Sequence, residues 1–129
     1  MKGDSSRVDY LEEVNGIVFV LASFPYGGGT TTAEALWMGT PVVTFFGDSF
    51  LSRLGGSLMN TAGLEHWVAT NEEEYIHKAV SFASDLETLS LLREGLREKV
   101  LASPLFDATL FARNLEAALL EIWESSVSQ

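Results

Sequence analysis

The chain has 129 residues, 47% of them hydrophobic and none of them cysteine. That is enough for one domain with a core of its own, and it excludes a disulfide, a thiolate metal site and a cysteine nucleophile. Eighteen Asp and Glu against eight Lys and Arg give a net charge of −10, which argues against a nucleic-acid surface, because a phosphate track is met with cations.

From the amino end, Arg7 to Val14 has helical spacing, with Asp9, Glu12 and Glu13 toward water and Val8, Leu11 and Val14 inward. Asn15-Gly16 stops it, glycine being a favoured helix terminator. Ile17 to Ala22 shows no polar alternation and predicts a strand buried on both faces, as in a parallel sheet. Ser23 to Gly29 is a glycine-rich turn, Thr30 to Thr32 begins a helix, and Ala33 to Met38 continues it as far as Gly39. Pro41 to Phe46 predicts a second buried strand. Asp48 or Ser49 can cap a helix from Phe50 to about Thr61, with Leu51, Leu54, Leu58 and Met59 as its inward stripe. The Gly55-Gly56 pair inside that helix suits close packing on a sheet at some cost in helix propensity.

Gly63 to Glu65 reads as a turn and His66 to Ala69 as a short third strand. Thr70 with Glu73, or Asn71 with Glu74, forms a capping box for a helix from Glu72 to Ser84. Its apolar face is expected to carry Tyr75, Ile76, Ala79, Val80 and Ala83. Asp85 caps a further helix to about Ala102, Ser103-Pro104 breaks it, and Asp107 caps a last helix to about Glu124. That helix places Leu110, Phe111, Leu115, Leu119, Ile122 and Trp123 at helical spacing. The expected architecture is α/β: half of a Rossmann-like parallel sheet, three strands with flanking helices and a helical C-terminal tail, in a single domain over residues 1–129. Met1 to Arg7 is polar and short, unlike a signal peptide or a lipidation site. No apolar run approaches the roughly 20 residues of a membrane span, so a soluble, cytoplasmic protein away from membranes is expected.

The chemistry concentrates between the first two strands. In open α/β sheets, ligands settle at the carboxyl ends of strands. Gly27, Gly28 and Gly29 permit positive φ and close approach to the backbone. The hydroxyls of Thr30, Thr31 and Thr32 can cap free N–H groups, and those N–H groups can hold phosphate. Glu34 lies one turn beyond Thr30 on the same face. A carboxylate there repels phosphate but accepts from a pair of sugar hydroxyls, so turn and carboxylate together read as a nucleotide seat. The plainer reading is a turn joining a strand to a capped helix, with Glu34 a solvated carboxylate. His66 and His77 have no carboxylate at metal-ligand spacing, and no metal site and no catalytic residue is assigned. Arg53 is read as pairing with Asp48 or capping carbonyls, and Trp37 and Trp123 as core or interface aromatics.

The stretch from Pro25 to Thr44, PYGGGTTTAEALWMGTPVVT, resembles the nucleotide-binding lobe of the O-linked N-acetylglucosamine transferases, glycosyltransferases of the GT-B fold. The resemblance continues through Gly47-Asp48, Ser52-Arg53-Leu54-Gly55, Gly63-Leu64, Glu73-Glu74-Tyr75, Ser103-Pro104-Leu105-Phe106-Asp107, Leu115-Glu116 and Trp123-Glu124. It implies a UDP-sugar donor, UDP-N-acetylglucosamine, held by Gly28, Gly29, Thr30, Thr31, Thr32 and Glu34. Tyr10, near a position that is His in many relatives, would stack on the base. No metal cofactor is implied if N–H groups and a lysine neutralise the diphosphate. Ala22 stands where the family has Asp, Glu34 where relatives often have Asp, and Gly29 where some have His.

The same resemblance implies that the first three strands of the lobe, the acceptor lobe, the phosphate lysine and the catalytic groups lie outside this chain. Alone it would be inactive and bind UDP or UDP-sugar weakly, with a catalytic lobe as a natural partner. A second reading is a non-catalytic remnant that acts in protein interaction or dimerisation. Its homodimer would form through the hydrophobic edge of Ile17 to Leu21, which lacks the Pro or Lys that protects strand edges. A third, an unrelated small nucleotide-binding protein, rests on the glycine turn alone.

Overall fold

The computed structural model describes residues 6–127; the expectation placed on the extreme amino terminus lies mostly outside them. Helix α1 (Arg7–Asn15) opens with a reciprocal cap, Ser6 and Asp9 exchanging side-chain and backbone hydrogen bonds. Strand β1 (Val20–Leu21) leads through the glycine turn into α2 (Thr30–Trp37) and then β2 (Val42–Phe45). Helix α3 (Phe50–Thr61), a short 3-10 turn at Glu65–Trp67, and β3 (Val68–Ala69) follow. Helices α4 (Glu72–Ser84) and α5 (Leu86–Leu101), a second 3-10 turn at Pro104–Phe106 and α6 (Ala108–Val127) complete the described chain.

The sheet is parallel in the order β1-β2-β3, with Val20 opposite Val42 and Thr44 opposite Val68. This is the α/β half-sheet expected from the alternation of apolar runs with capped helical segments. The centre is β2, whose Val42, Val43 and Thr44 are fully buried. Helices α3 and α4 pack against it, and α5 packs against α2. Leu36, Met59, Leu64, Trp67, Leu96 and Val100 complete the core at 2% exposure or less, each aliphatic side chain contributing about 1.5–3 kcal/mol of burial. Trp67 stacks on Phe82, ring centroids 3.8 Å apart.

Several expectations need correction. The first strand is shorter than Ile17 to Ala22 and is not buried on both faces: Ile17, Val18 and Leu21 are 41%, 44% and 53% exposed. Among the described residues β1 has β2 on one edge and no strand on the other, so an apolar run with the signature of a central strand lies at the margin. His66 belongs to the 3-10 turn, not to β3, which is Val68–Ala69. The inward face of α3 is Ser52, Gly55, Gly56 and Met59, while Leu51 is exposed. Here the sheet comes so close that a Cβ on Gly56 would lie 2.2 Å from the Phe46 ring, and bulky residues turn away. In α4 the chain buries Tyr75 and half-buries Phe82, whereas Ile76, Val80 and Ala83 are exposed. The apolar stripe of α6 is also on the surface: Phe111, Leu115, Leu119, Ile122 and Trp123 are exposed and no residue of the helix is buried.

Candidate functional site

Strand β1 ends where the Ala22 N–H donates to the Val43 carbonyl, 2.9 Å. The chain then leaves the sheet through Ser23, whose hydroxyl donates to the Tyr26 carbonyl at 2.8 Å. Gly27 lies so close to β2 that a Cβ there would come within 3.0 Å of Thr44 Oγ1. Gly28 has φ of 73°, the left-handed region. Gly29 is the N-cap of α2 and gives it no side-chain cap, so the first-turn N–H groups keep the unmet donors of a helix start. A Cβ on Gly29 would meet Leu54 Cδ2 at 2.8 Å. The side chain that some relatives carry here has no room in this arrangement unless Leu54 moves.

Thr30, Thr31 and Thr32 begin α2, as their position suggested, and Gly29 rather than a threonine is the N-cap. The Thr32 hydroxyl is buried and donates back to the Gly27 carbonyl at 3.2 Å, closing the turn. Thr31 is exposed and lines a hollow of about 220 Å³ with Tyr10, Val20, Leu21, Ala22, Ser23, Gly27, Gly28 and Thr32. Thr30 and Glu34 face a second hollow of about 330 Å³, shared with Arg7, Leu11, Ala33, Trp37 and Phe106. Glu34 is paired with Arg7, Nη2 to Oε1, at 2.8 Å.

Thus Gly28, Thr31, Thr32 and Tyr10 come together in one hollow and Thr30 and Glu34 in another, while Gly29 lies against Leu54 of α3. Helix α1 contributes to both. Partial burial pushes the Tyr10 phenol above its ordinary pKa and the Glu34 carboxylate pushes it further, so Tyr10 and Glu34 feel each other across the division.

Sequence reasoning missed two participants. Arg7 is one; its spacing of three from Tyr10 on a helix was the available signal. Thr44 is the other. It is fully buried beneath Gly27 and Gly55, and its hydroxyl has no partner among the described residues; an apolar strand gives no hint of that. Among the remaining candidates, Arg53 caps a carbonyl, Nε to Gly47 O at 3.0 Å, with its guanidinium over the Phe46 ring. Burial, Lys99 and Lys78 hold the His66 imidazole below its ordinary pKa. Among the described residues no three metal-ligating side chains cluster, and no helix is long and apolar enough to cross a membrane.

Residues 20–115 match the model of glycosyl transferase family 41. The chain belongs to that family. It is similar to the probable UDP-N-acetylglucosamine–peptide N-acetylglucosaminyltransferase SPINDLY of Solanum lycopersicum, 44% identical over 115 residues. That match covers 89% of this chain and 12% of the tomato protein. The probable enzyme SEC of Arabidopsis thaliana is 38% identical over 124 residues, 95% of this chain and 12% of that one. A solved structure of a mutant O-GlcNAc transferase from Thermobaculum terrenum superposes with a TM-score of 0.82 at 39% identity, over 94% of this chain and 23% of that one. This family-41 chain therefore shares the fold of the matching part of that GT-B enzyme and spans about an eighth of the length of the curated relatives it matches.

Proposed function

We propose that this chain forms the donor-nucleotide seat of an O-linked N-acetylglucosamine transferase-like enzyme and is inactive by itself. One observation carries the reading: the uncapped amino end of α2, reached through the left-handed Gly28, opens beside a hollow at the carboxyl end of β1. Backbone N–H groups there, helped by the helix dipole, suit a diphosphate. Glu34 suits the ribose diol, and Tyr10 a flat base. Within a complete enzyme the same N–H groups would stabilise charge developing on the UDP leaving group, with a serine or threonine hydroxyl as acceptor. The donor would be UDP-N-acetylglucosamine, without a metal cofactor, in the cytoplasm. Similarity to enzymes named for that donor supports this reading.

A UDP titration followed by amide chemical shifts tests it. Binding of about 1 mM, near −4 kcal/mol, should perturb residues 28–32 and Glu34, and Thr31→Ala and Glu34→Ala should each weaken it. Shifts confined to α5 and α6 would overturn the assignment. With UDP-N-acetylglucosamine and a Ser/Thr-rich peptide the isolated chain should add no mass, and turnover above the blank would show that catalytic groups lie within it.

A second reading is self-association without catalysis, supported by the exposed Leu21 at the open edge of β1 and the exposed Ile17 and Val18 just before it. The occupant would be a second copy, because a two-fold axis lays identical edges antiparallel, each meeting the other's free N–H and C=O groups.

A further inference from the structure

The seat contains an electrostatic conflict. Glu34 stands one helical turn past Thr30, near the helix start that would hold phosphate but in a separate hollow, in a chain of net charge −10. Its side chain is only 16% exposed, so solvent screens it little, and the Arg7 guanidinium lies 2.8 Å from it.

We propose that Arg7 is a positioning residue that neutralises Glu34, allowing one helix start to accept a diol and a diphosphate together; this rests on the nucleotide reading above. Four other cations bind backbone carbonyls away from Glu34. Lys78 donates to the His66 carbonyl, Lys99 to Gly63, Arg93 to Asn15 and Arg53 to Gly47. Arg7 is held in place by its helix. The carboxyl end of α1 is anchored where Thr40 Oγ1 donates to the buried Val14 carbonyl at 3.2 Å and Arg93 Nη2 to Asn15 at 3.0 Å. The reciprocal Ser6–Asp9 cap starts the helix one residue before Arg7. Arg7 is 74% exposed, so it can adjust to a ligand without disturbing the core.

The test titrates the full chain with inorganic pyrophosphate and, separately, with uridine, reading the amides of residues 27–34. Arg7→Gln should weaken pyrophosphate about three- to fivefold, the scale of an exposed ion pair, with no parallel fall for uridine. Arg7→Lys should keep wild-type affinity. The double variant Arg7→Gln with Glu34→Gln should recover pyrophosphate binding, because the charge that needed cancelling is gone. A double variant as weak as Arg7→Gln alone would show that Arg7 grips phosphate itself and would overturn the proposal. So would an Arg7→Gln variant with unchanged pyrophosphate affinity, or a wild-type chain that responds to uridine alone. If neither probe moves these amides in the wild-type chain, the nucleotide reading falls and the proposal with it.

Discussion

Gly28 has φ of 73°, and a Cβ there would sit 2.6 Å from the Thr31 hydroxyl. A left-handed L-residue costs about 1–2 kcal/mol before any clash. Gly28→Ala should therefore lower unfolding free energy by about 1–2 kcal/mol in urea titration, and it should abolish UDP-induced shifts at Thr31. Unchanged stability would show that the turn relaxes to a right-handed form. A second residue contributes to acid behaviour. The Glu74 carboxylate accepts from the Thr70 N–H and hydroxyl, both at 2.8 Å, and pairs with Lys78 at 3.2 Å. The Thr70 bonds, with Lys78 adding to them, lower its pKa to about 2. A depressed carboxylate stabilises the fold above its unfolded pKa of about 4.3, and that contribution is lost as pH falls through the folded value. Asp85, depressed by the Thr88 N–H, acts in the same sense. The urea midpoint should fall between about pH 4.5 and 2, and Glu74→Gln should flatten that fall; an equally steep fall in the variant would assign it elsewhere.

At the scale of elements, the helix caps were readable because they are local. Asn71 accepts from the Glu74 N–H and Asp85 from the Thr88 N–H, as their spacing suggested. Which helix face turns inward was less readable, because the opposing surface decides. In α4, Tyr75 reaches the end of β1: its hydroxyl donates to the Ala22 carbonyl at 2.7 Å across 53 positions, and its ring meets Phe24 edge-on. Spacing alone could not separate it from Ile76 beside it. Tyr75→Phe removes that buried bond and leaves the carbonyl unsatisfied, so it should cost about 1–3 kcal/mol, read as a lower urea midpoint. A variant as stable as the parent would mean that water replaces the hydroxyl.

At the scale of the whole molecule, exposed apolar side chains among the described residues include those at and before β1 and those along α6, besides others such as Phe50, Ile76 and Leu91. A stable interface buries about 1,200–2,000 Å², more than a two-residue strand can supply, so a dimer built on the β1 edge must also recruit further surface. Sedimentation at low micromolar concentration should show a species of twice the chain mass, and Val18→Lys should return it to a monomer. A wild-type monomer whose solubility Val18→Lys leaves unchanged would remove the second copy from that edge.

The sequence by itself determined the strand, turn, helix, strand order, the glycine turn at a strand's carboxyl end, the caps and the family. Each is carried by residues a few positions apart, through local hydrogen bonding, allowed φ or apolar runs. The tertiary structure alone decided that Arg7 meets Glu34, that Thr44 lies under Gly27 and Gly55, and that the predicted seat is divided between two hollows. It also decided that α6 leaves its apolar stripe uncovered. Those outcomes depend on which surfaces approach each other, and an apolar residue carries the same periodic signal whether or not a neighbour arrives to bury it.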